Sequence, residues 1–372
     1  MMNQNIITAP FHNNIRPSNT GQVVVLPLNL IALIVSYLDD VGDLARVCRT
    51  CRVLHYMTLP QLHERVTLRS YAEIRYAEDE PEGCGGASPF CMALNGLVTR
   101  NVAGLVRSLT LWGDWGPHGL EDAAKVGRIP DCDMMLNITV RAAIDKMEML
   151  ESFSWQLNTR MLPTVYQGLA QRPRLESLEI RFPSSRLARQ CCVIPPMPTL
   201  RSFKVSNIDP LCHPDDISLL LLQSRNLRHL KMHWSPRMRA ELEPSIQLHT
   251  YFGKCVAAKY TMNLETIGFQ NMYLPNIEVF DGLLNWQTVR AITQINSVGG
   301  RGDAESAFVD RNWRNMVKKR VHNMSSLKSV RTDKIWQAHV DMLSRAHGIE
   351  ELFLLSSRPH GNVPAADGTP DS

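Results

Sequence analysis

The amino-acid sequence predicts an α/β protein in which a small N-terminal unit of three short helices precedes an irregular solenoid of parallel strands. Two observations predict this class. Apolar residues recur at helical spacing between residues 23 and 75, and a strand-like pattern then returns repeatedly between residues 101 and 357. Residues 76–100 contain an acidic, Gly- and Pro-rich stretch, for which we expect an exposed loop or linker. The ends, residues 1–22 and 358–372, consist mainly of polar and turn-forming residues and are expected to be disordered.

The first region is predicted to contain three helices. The first begins near Pro27, whose missing N–H costs nothing in the first turn of a helix. Its apolar stripe comprises Leu26, Leu30, Ile31, Ile34, Val35 and Leu38. The second helix is indicated by the spacing of Leu44, Val47, Cys48 and Cys51. The third is predicted to start at Thr58, because Thr58 to Gln61 has capping-box spacing and apolar Leu62 and Val66 follow. A unit this small buries little apolar surface and gains stability from a partner or a neighbouring domain.

The second region repeats one unit, apolar-x-x-apolar-x-apolar. Clear copies are Val106-Leu109-Leu111, Leu150-Phe153-Trp155, Leu175-Leu178-Ile180, Leu200-Phe203-Val205, Leu227-Leu230-Met232, Leu264-Ile267-Phe269 and Ile349-Leu352-Leu354, with weaker copies at Val289-Ile292 and Leu327-Val330. Helices are predicted between strands at residues 161–170, 214–222 and 335–348. The anchors at 150, 175 and 200 are 25 residues apart. A period of about 20–29 residues with this pattern is typical of leucine-rich repeats, so we expect a horseshoe with parallel strands on its concave face.

Composition and charge argue against several classes of protein. The chain has 40 Lys and Arg against 36 Asp and Glu, a formal charge of +4 over 372 residues. This excess of positive charge is too small to predict nucleic-acid binding. The most apolar stretch, residues 23–38, is too short and too interrupted to predict a membrane span, and it makes a poor signal peptide. Nine cysteines without a secretion signal predict reduced thiols, and hence a cytoplasmic or nuclear protein.

Two further patterns could hold a metal but are better explained otherwise. Cys48 and Cys51 have CxxC spacing with His55 nearby, yet no second pair follows at zinc-module distance, so small buried thiols are the favoured interpretation. His229 and His233 lie on one predicted strand, about 13 Å apart, too far to share a metal. No nucleophile elbow, Ser-His-Asp order or supported pair of carboxylates is present. We therefore expect no metal, no cofactor and no enzymatic activity.

Residues 26–66 resemble an F-box. The resemblance is carried by Leu26, Pro27, Ile34, Leu38, Asp43, Leu44, Val47, Cys48 and Arg49, while Asn29 and Cys51 depart from the family's pattern. An F-box ahead of repeats is the architecture of F-box/leucine-rich-repeat proteins. In that family the F-box is not catalytic: it docks on the Skp adaptor of an SCF-type cullin–RING ubiquitin ligase, and the repeats hold the substrate. The resemblance implies that the adaptor would contact Leu26, Pro27, Leu30, Ile34, Leu38, Leu44, Val47, Cys48 and Arg49.

The leading hypothesis is therefore a substrate-recognition subunit that holds a target near a ubiquitin-charged partner and needs no catalytic residue of its own. An alternative is an interaction scaffold outside any ligase, in which the F-box-like helices only cap the solenoid, since solenoids need a cap over their first repeat. A third class is a hydrolase or transferase on an irregular α/β fold, which would need a concave pocket with convergent titratable residues.

A target-binding face is predicted from strand alternation. Where positions one, four and six of the repeat face the core, positions three, five and seven face the concave side. On the later strands this places five residues that are basic or become so at low pH together: Arg181, Lys204, His229, Lys231 and His233. Such a cluster suits an acidic or phosphorylated segment of a target. The alternative is a solvated polar face that binds nothing.

Overall fold

The structure is a computed structural model of the 372-residue chain. It describes residues 26–71, 75–77, 80–83, 89–115, 132–183, 194–208, 214–234, 251–270, 282–295, 325–332, 340, 343–344 and 348–354. The chain divides into two compact units, one ending at Leu62 and the other beginning at His63. The predicted disordered ends lie outside the described residues, as does most of the helix predicted at residues 335–348.

The first unit is built from helices α1 (Leu28–Ser36), α2 (Val41–Cys48) and the greater part of α3 (Arg52–Glu64). The first two helices confirm the sequence prediction. Pro27 is the N-terminal cap of α1, and the carboxylate of Asp40 caps α2 by accepting a hydrogen bond of 2.8 Å from the backbone N–H of Asp43. The buried side chains of this unit are few: Val35, Leu44, Cys48 and Thr58.

The predicted start of the third helix is wrong. Helix α3 begins six residues before Thr58, and Thr58 lies buried in its interior, where its hydroxyl donates a hydrogen bond of 2.8 Å to the carbonyl of Leu54. A threonine hydroxyl can bond to the carbonyl four residues back within a helix, so capping-box spacing alone does not identify a helix start. Val66, expected on this helix, lies in the strand that follows, and Cys51 falls between α2 and α3.

The second unit contains an open sheet of ten parallel strands. In order across the sheet they are β1 (Arg65–Ser70), β4 (Ser108–Gly113), β5 (Ser152–Leu157), β6 (Ser177–Arg181), β7 (Ser202–Ile208), β8 (His229–Trp234), β9 (Thr266–Gln270), β10 (Ala291–Ile295), β11 (Ser329–Thr332) and β12 (Glu351–Leu354). A separate antiparallel hairpin joins β2 (Arg75–Ala77) to β3 (Glu80–Gly83). Neighbouring strands of the large sheet follow one another along the chain apart from this hairpin, as expected of a solenoid.

Helices alternate with many of these strands. Those described are α4 (Pro89–Thr99), α5 (Cys132–Lys146), α6 (Pro163–Ala170), α7 (Pro214–Gln223) and α8 (Gly253–Ala257), with a 3-10 turn at Ala103–Leu105. The helices predicted at residues 161–170 and 214–222 are confirmed as α6 and α7. None of the described helices is long and apolar enough to cross a bilayer.

The repeated apolar positions lie in register across the sheet and form its core. Phe153, Leu178, Phe203, Leu230 and Ile267 are successive Cα partners, and each is at most 1% exposed. The second row comprises Leu111, Trp155, Ile180, Val205, Met232 and Phe269. The strand prediction is therefore confirmed along the sheet, and each repeat stacks its apolar residues on the repeat before it.

Two boundaries differ from the sequence prediction. The sheet begins with β1 and not near residue 101, and the predicted loop or linker over 76–100 contains helix α4. Phe90, Leu94 and Leu97 of α4 are at most 4% exposed and pack in the core of the second unit. Their spacing of four and three residues is helical, but the Gly- and Pro-rich residues just before them indicated a loop.

The residue preceding each strand from β4 onward is charged, and we call this row the charge ladder. It comprises Arg107, Glu151, Glu176, Arg201, Arg228, Glu265, Arg290, Lys328 and Glu350. Ion pairs join Arg107 to Glu151 at 3.4 Å, Arg201 to Glu176 at 3.7 Å, Arg290 to Glu265 at 3.8 Å and Lys328 to Glu350 at 2.6 Å. Exposed pairs contribute about 0–1 kcal/mol each, so the ladder adds little to the stability of the protein.

Candidate functional site

Helix α1 presents an unusually apolar exterior. Of its nine residues only Val35 is buried, and Leu33 and Ile34 are 51% and 57% exposed. We call the whole set of exposed apolar side chains on and beside this helix the α1 surface: Leu26, Leu28, Leu30, Leu33, Ile34, Tyr37 and Val41. Contiguous exposed apolar side chains of this kind mark protein-binding sites.

The structure separates the nine residues predicted to contact the adaptor into three groups. Exposed are Leu26, Pro27, Leu30, Ile34 and Arg49; half-buried are Leu38 and Val47; buried are Leu44 and Cys48. Leu44 and Cys48 are 3% and 9% exposed because α2 turns them into the interior of the first unit. In the described structure these two residues lie beneath the surface among the helices. Adaptor contact by the nine residues stays a prediction.

Several members of the α1 surface were not singled out from the sequence. Leu28, Leu33, Tyr37 and Val41 are exposed, at 39–76%. Leu28 and Leu33 fall between the positions of the predicted stripe, and their exposure depends on which side of α1 packs against the other helices. Their exposure could have been expected from the sequence of α1, because nearly all of its residues are apolar. When one face of such a helix packs against its neighbours, apolar residues remain on the faces that do not pack.

The two cysteines with CxxC spacing lie in different environments. Cys48 is buried, with its Sγ 3.1 Å from Nδ1 of His55, whereas Cys51 is exposed, so the interpretation of both as buried thiols is wrong for Cys51. Within the part of the chain that the structure describes, no group of three His, Cys, Asp or Glu residues could hold a metal ion.

The predicted target-binding residues lie on three adjacent strands. Arg181 is on β6, Lys204 on β7, and His229, Lys231 and His233 on β8. Lys204 and Lys231 are direct Cα partners in the β7–β8 pairing, so the structure brings these two lysines side by side. We call this set of five residues the basic face.

A carboxylate lies beside the basic face. Glu179 of β6 is the register partner of Lys204 and forms an ion pair with it. Glu179 also accepts a hydrogen bond of 3.0 Å from the hydroxyl of Ser154. Lys204 is therefore largely neutralised, while Lys231 is exposed and makes no hydrogen bond or ion pair within the described structure. Lys231 is the cation of this pair that is available to a ligand.

The two histidines contribute hydrogen-bonding groups. Nδ1 of His229 lies 3.0 Å from the hydroxyl of Thr266. The backbone N–H of Asn207 donates a hydrogen bond of 3.4 Å to Nδ1 of His233, which leaves Nε2 of the neutral ring to carry the proton. Burial lowers the pKa of His233, in agreement with a neutral ring. Asn207 is able to point its N–H there because it has a φ of 56°, a conformation that asparagine tolerates, where the β7–β8 register shifts.

A small cavity of about 110 Å³ opens on the basic face. Lys204, Lys231 and His233 line it together with Gly268 and Thr293. A Cβ atom at Gly268 would lie 3.1 Å from Cγ of Lys231, so the glycine on β9 lets the lysine stem extend across its neighbouring strand. The arrangement offers one unpaired ammonium group beside neutral donors, which suits a single anionic group.

The family model described as F-box-like matches residues 23–69. These residues form an F-box-like domain. F-box-like domains are typically adaptor-binding modules and not enzymes, and in this one the α1 surface is the exposed apolar feature. The second unit, an open sheet of parallel strands with helices between many of them, has a leucine-rich-repeat-like solenoid fold.

No curated protein matches the chain. Among the solved structures that match is the crystal structure of a Bacteroides fragilis protein, at 13% sequence identity and a TM-score of 0.46, with 75% of each chain covered.

Proposed function

We propose that this protein is a substrate-recognition subunit of an SCF-type cullin–RING ubiquitin ligase. The F-box-like domain would bind a Skp-type adaptor, and the solenoid would bind a target protein. The observation that carries the proposal is the F-box-like match at residues 23–69, whose first helix leaves its apolar side chains exposed. The role needs no catalytic group, because holding a target beside a ubiquitin-charged partner is enough to raise the rate of transfer.

The α1 surface supports adaptor binding energetically. A helix with apolar residues at successive turns is what a helix-in-groove partner recognises. Burying a Leu or Ile side chain that was fully exposed contributes about 1.5–3 kcal/mol. Leu30 and Ile34, one helical turn apart, are 42% and 57% exposed in the free unit, so roughly half of that contribution is still available for each.

The test is co-purification with the Skp-type adaptor. Ile34→Asp places a charge in the middle of the α1 surface and is expected to reduce adaptor binding at least ten-fold, since a charge would be buried without a partner. Val256→Asp is the matched control, because Val256 is also an exposed β-branched residue, at 38%, and belongs to the second unit. Circular dichroism checks that both variants are folded.

Two results would count against the ligase role. One is adaptor binding by Ile34→Asp equal to that of the wild type. The other is no adaptor binding by the wild-type protein, which would leave the scaffold function, with the F-box-like helices serving only as a cap, as the better explanation.

The basic face is the proposed site for an acidic or phosphorylated segment of the target. Charge-assisted hydrogen bonds from Lys231, with His233 and Lys204 beside it, would hold one anionic group at the small cavity. We expect Lys204→Glu combined with Lys231→Glu to abolish target capture while adaptor binding stays intact.

The experiment compares proteins captured by the wild type and by this double variant while the ligase is inhibited. Lys328→Glu serves as the control, because Lys328 is a similarly exposed lysine, at 55% of its side chain, in the charge ladder outside the basic face. Targets that bind the double variant and the wild type equally would exclude the basic face as the binding site.

A further inference from the structure

The two edges of the large sheet differ in chemistry. At the first edge the exposed residues of β1 are Arg65, Thr67 and Arg69, and its apolar residues are half-buried. At the last edge all four residues of β12 are exposed, and Leu352, Phe353 and Leu354 are 44%, 44% and 53% exposed. Natural proteins protect edge strands with charges, prolines or bulges, so three consecutive exposed apolar residues on an edge are unusual.

The exposure arises because nothing described follows β12 across the sheet. Ile292, Val330 and Leu352 are successive Cα partners on the core side, yet the first two are 4% exposed and the third is 44% exposed. Each earlier core residue is covered by the strand of the next repeat. Leu352 occupies the same position in the repeat without that cover.

The backbone at this edge continues a regular hydrogen-bond pattern. The carbonyl of Arg290 accepts bonds of 2.8 and 3.0 Å from the N–H groups of Lys328 and Ser329 in the next repeat. The carbonyl of Lys328 does the same with Glu350 and Glu351, at 2.7 and 3.0 Å. The equivalent carbonyl of Glu350 has no partner within the described structure. By the alternation of backbone groups along a strand, the N–H and carbonyl of Leu352 point to the same open side.

The charge ladder ends at this edge on an acidic residue. Glu350 forms an ion pair of 2.6 Å with Lys328 of the preceding repeat, yet 63% of its side chain stays exposed, and Glu351 beside it is also exposed. In the ladder the glutamates pair with a basic residue on a neighbouring repeat, as Glu265 does with Arg290. A strand added beside β12 would meet Glu350 at the same position, immediately before its first residue, on the side opposite Lys328.

We propose that the open edge of β12 binds an extended segment of a partner protein, which adds to the sheet as a further parallel strand. The segment carries apolar residues at alternating positions, to cover Leu352 and Leu354, and a Lys or Arg just before them, opposite Glu350. Main-chain hydrogen bonds supply affinity in this mode of recognition and the alternating side chains supply specificity. The site goes beyond the proposed function and does not depend on adaptor binding.

The test uses a fluorescent synthetic peptide with the sequence of residues 199–206, which has Arg201 before the strand and Phe203 and Val205 at alternating positions. Binding to the full-length protein is measured by fluorescence polarisation at protein concentrations up to about 1 mM. Leu352→Pro removes the outward N–H without touching the bonds to β11, and proline is tolerated at such edge positions. Leu352→Ala is the matched control, because it also shortens the side chain but keeps the N–H.

We expect binding by the wild type and by Leu352→Ala, and at least ten-fold weaker binding by Leu352→Pro. A peptide with Glu in place of Arg201 is expected to bind about three-fold more weakly, in line with one exposed ion pair. Equal binding by the Pro and Ala variants, or no binding by the wild type, would overturn the proposal.

Sedimentation of the wild type tests whether a second copy of this chain binds at the edge of β12. A dimer that Leu352→Pro abolishes would assign the edge to a second copy of this chain and would likewise overturn the proposal. Adaptor binding by Leu352→Pro is expected to be normal, so failure at this edge is distinguishable from failure of the ligase role.

Discussion

Gly113→Ala is expected to weaken the junction between β1 and β4. Gly113 ends β4 with a φ of 108°, a conformation that side chains other than glycine rarely adopt. A Cβ atom there would collide with the carbonyl oxygen of Ser70 and lie 3.0 Å from its carbonyl carbon. That carbonyl also accepts a hydrogen bond of 3.3 Å from the backbone N–H of Asp114, whose own carbonyl accepts one from the Ser70 hydroxyl.

The magnitude follows from these contacts. A non-glycine residue in the left-handed region costs about 1–2 kcal/mol. Moving Ser70 aside breaks or lengthens two hydrogen bonds, at about 1 kcal/mol each. The sum is about 3–4 kcal/mol, a large share of the roughly 5–15 kcal/mol by which a domain is stable.

Urea denaturation of Gly113→Ala measures this loss, and hydrogen exchange at β1 shows whether the strand separates before the rest of the sheet unfolds. Gly96→Ala is the control: Gly96 lies in α4, and apart from its chain neighbours and the backbone of its own helix no atom lies within 4 Å of its added Cβ. It should stabilise the protein by about 0.5–1 kcal/mol. A Gly113→Ala protein within about 1 kcal/mol of the wild type would refute the strain argument.

Three further outcomes are expected. Burial raises the pKa of the Cys255 thiol to about 11, so iodoacetamide at neutral pH should leave Cys255 unmodified in the folded protein and alkylate exposed Cys51, as peptide mass spectrometry would show. Burial lowers the pKa of His233 below its usual 6.5, so as the pH falls the histidine is protonated in the unfolded chain before it is protonated in the folded protein. The free energy of unfolding should therefore decrease as the pH drops through 6.5. A His233→Gln variant should show a smaller decrease in the same urea titrations. Glu179→Gln removes the ion-pair partner of Lys204 and should strengthen binding of a phosphoserine peptide to the basic face about two- to five-fold by calorimetry, whereas unchanged binding would mean that Lys204 does not reach the ligand.

Local patterns predicted the repeat architecture because each strand encodes its own buried side. The apolar residue at position four of the repeat, as in Phe153, Leu178 and Phe203, was recognisable wherever the spacing was kept, and the register of the sheet aligned these positions. The F-box resemblance was recognisable for a similar reason, since it depends on a short run of helical positions. Both are properties of residues close together in the chain.

Other features depend on residues far apart in sequence, and only the tertiary structure decided them. Glu179 neutralises Lys204 because parallel pairing places residues 25 positions apart on adjacent strands, which no local pattern specifies. The same holds for the burial of Leu44, which depends on how α2 packs within the first unit.

The sequence by itself determined where the strands from β4 onward lie and which side of each is apolar, because that information repeats within the units of the solenoid. It did not determine what lies beside a residue on the next strand or helix. Packing and register decided that Phe90 belongs to the core and that Leu352 stays exposed, although both are apolar residues in apolar segments. The physical reason is that a side chain is buried only where a second surface packs against it. That surface comes from a part of the chain distant in sequence, and at the edge of β12 the structure describes none.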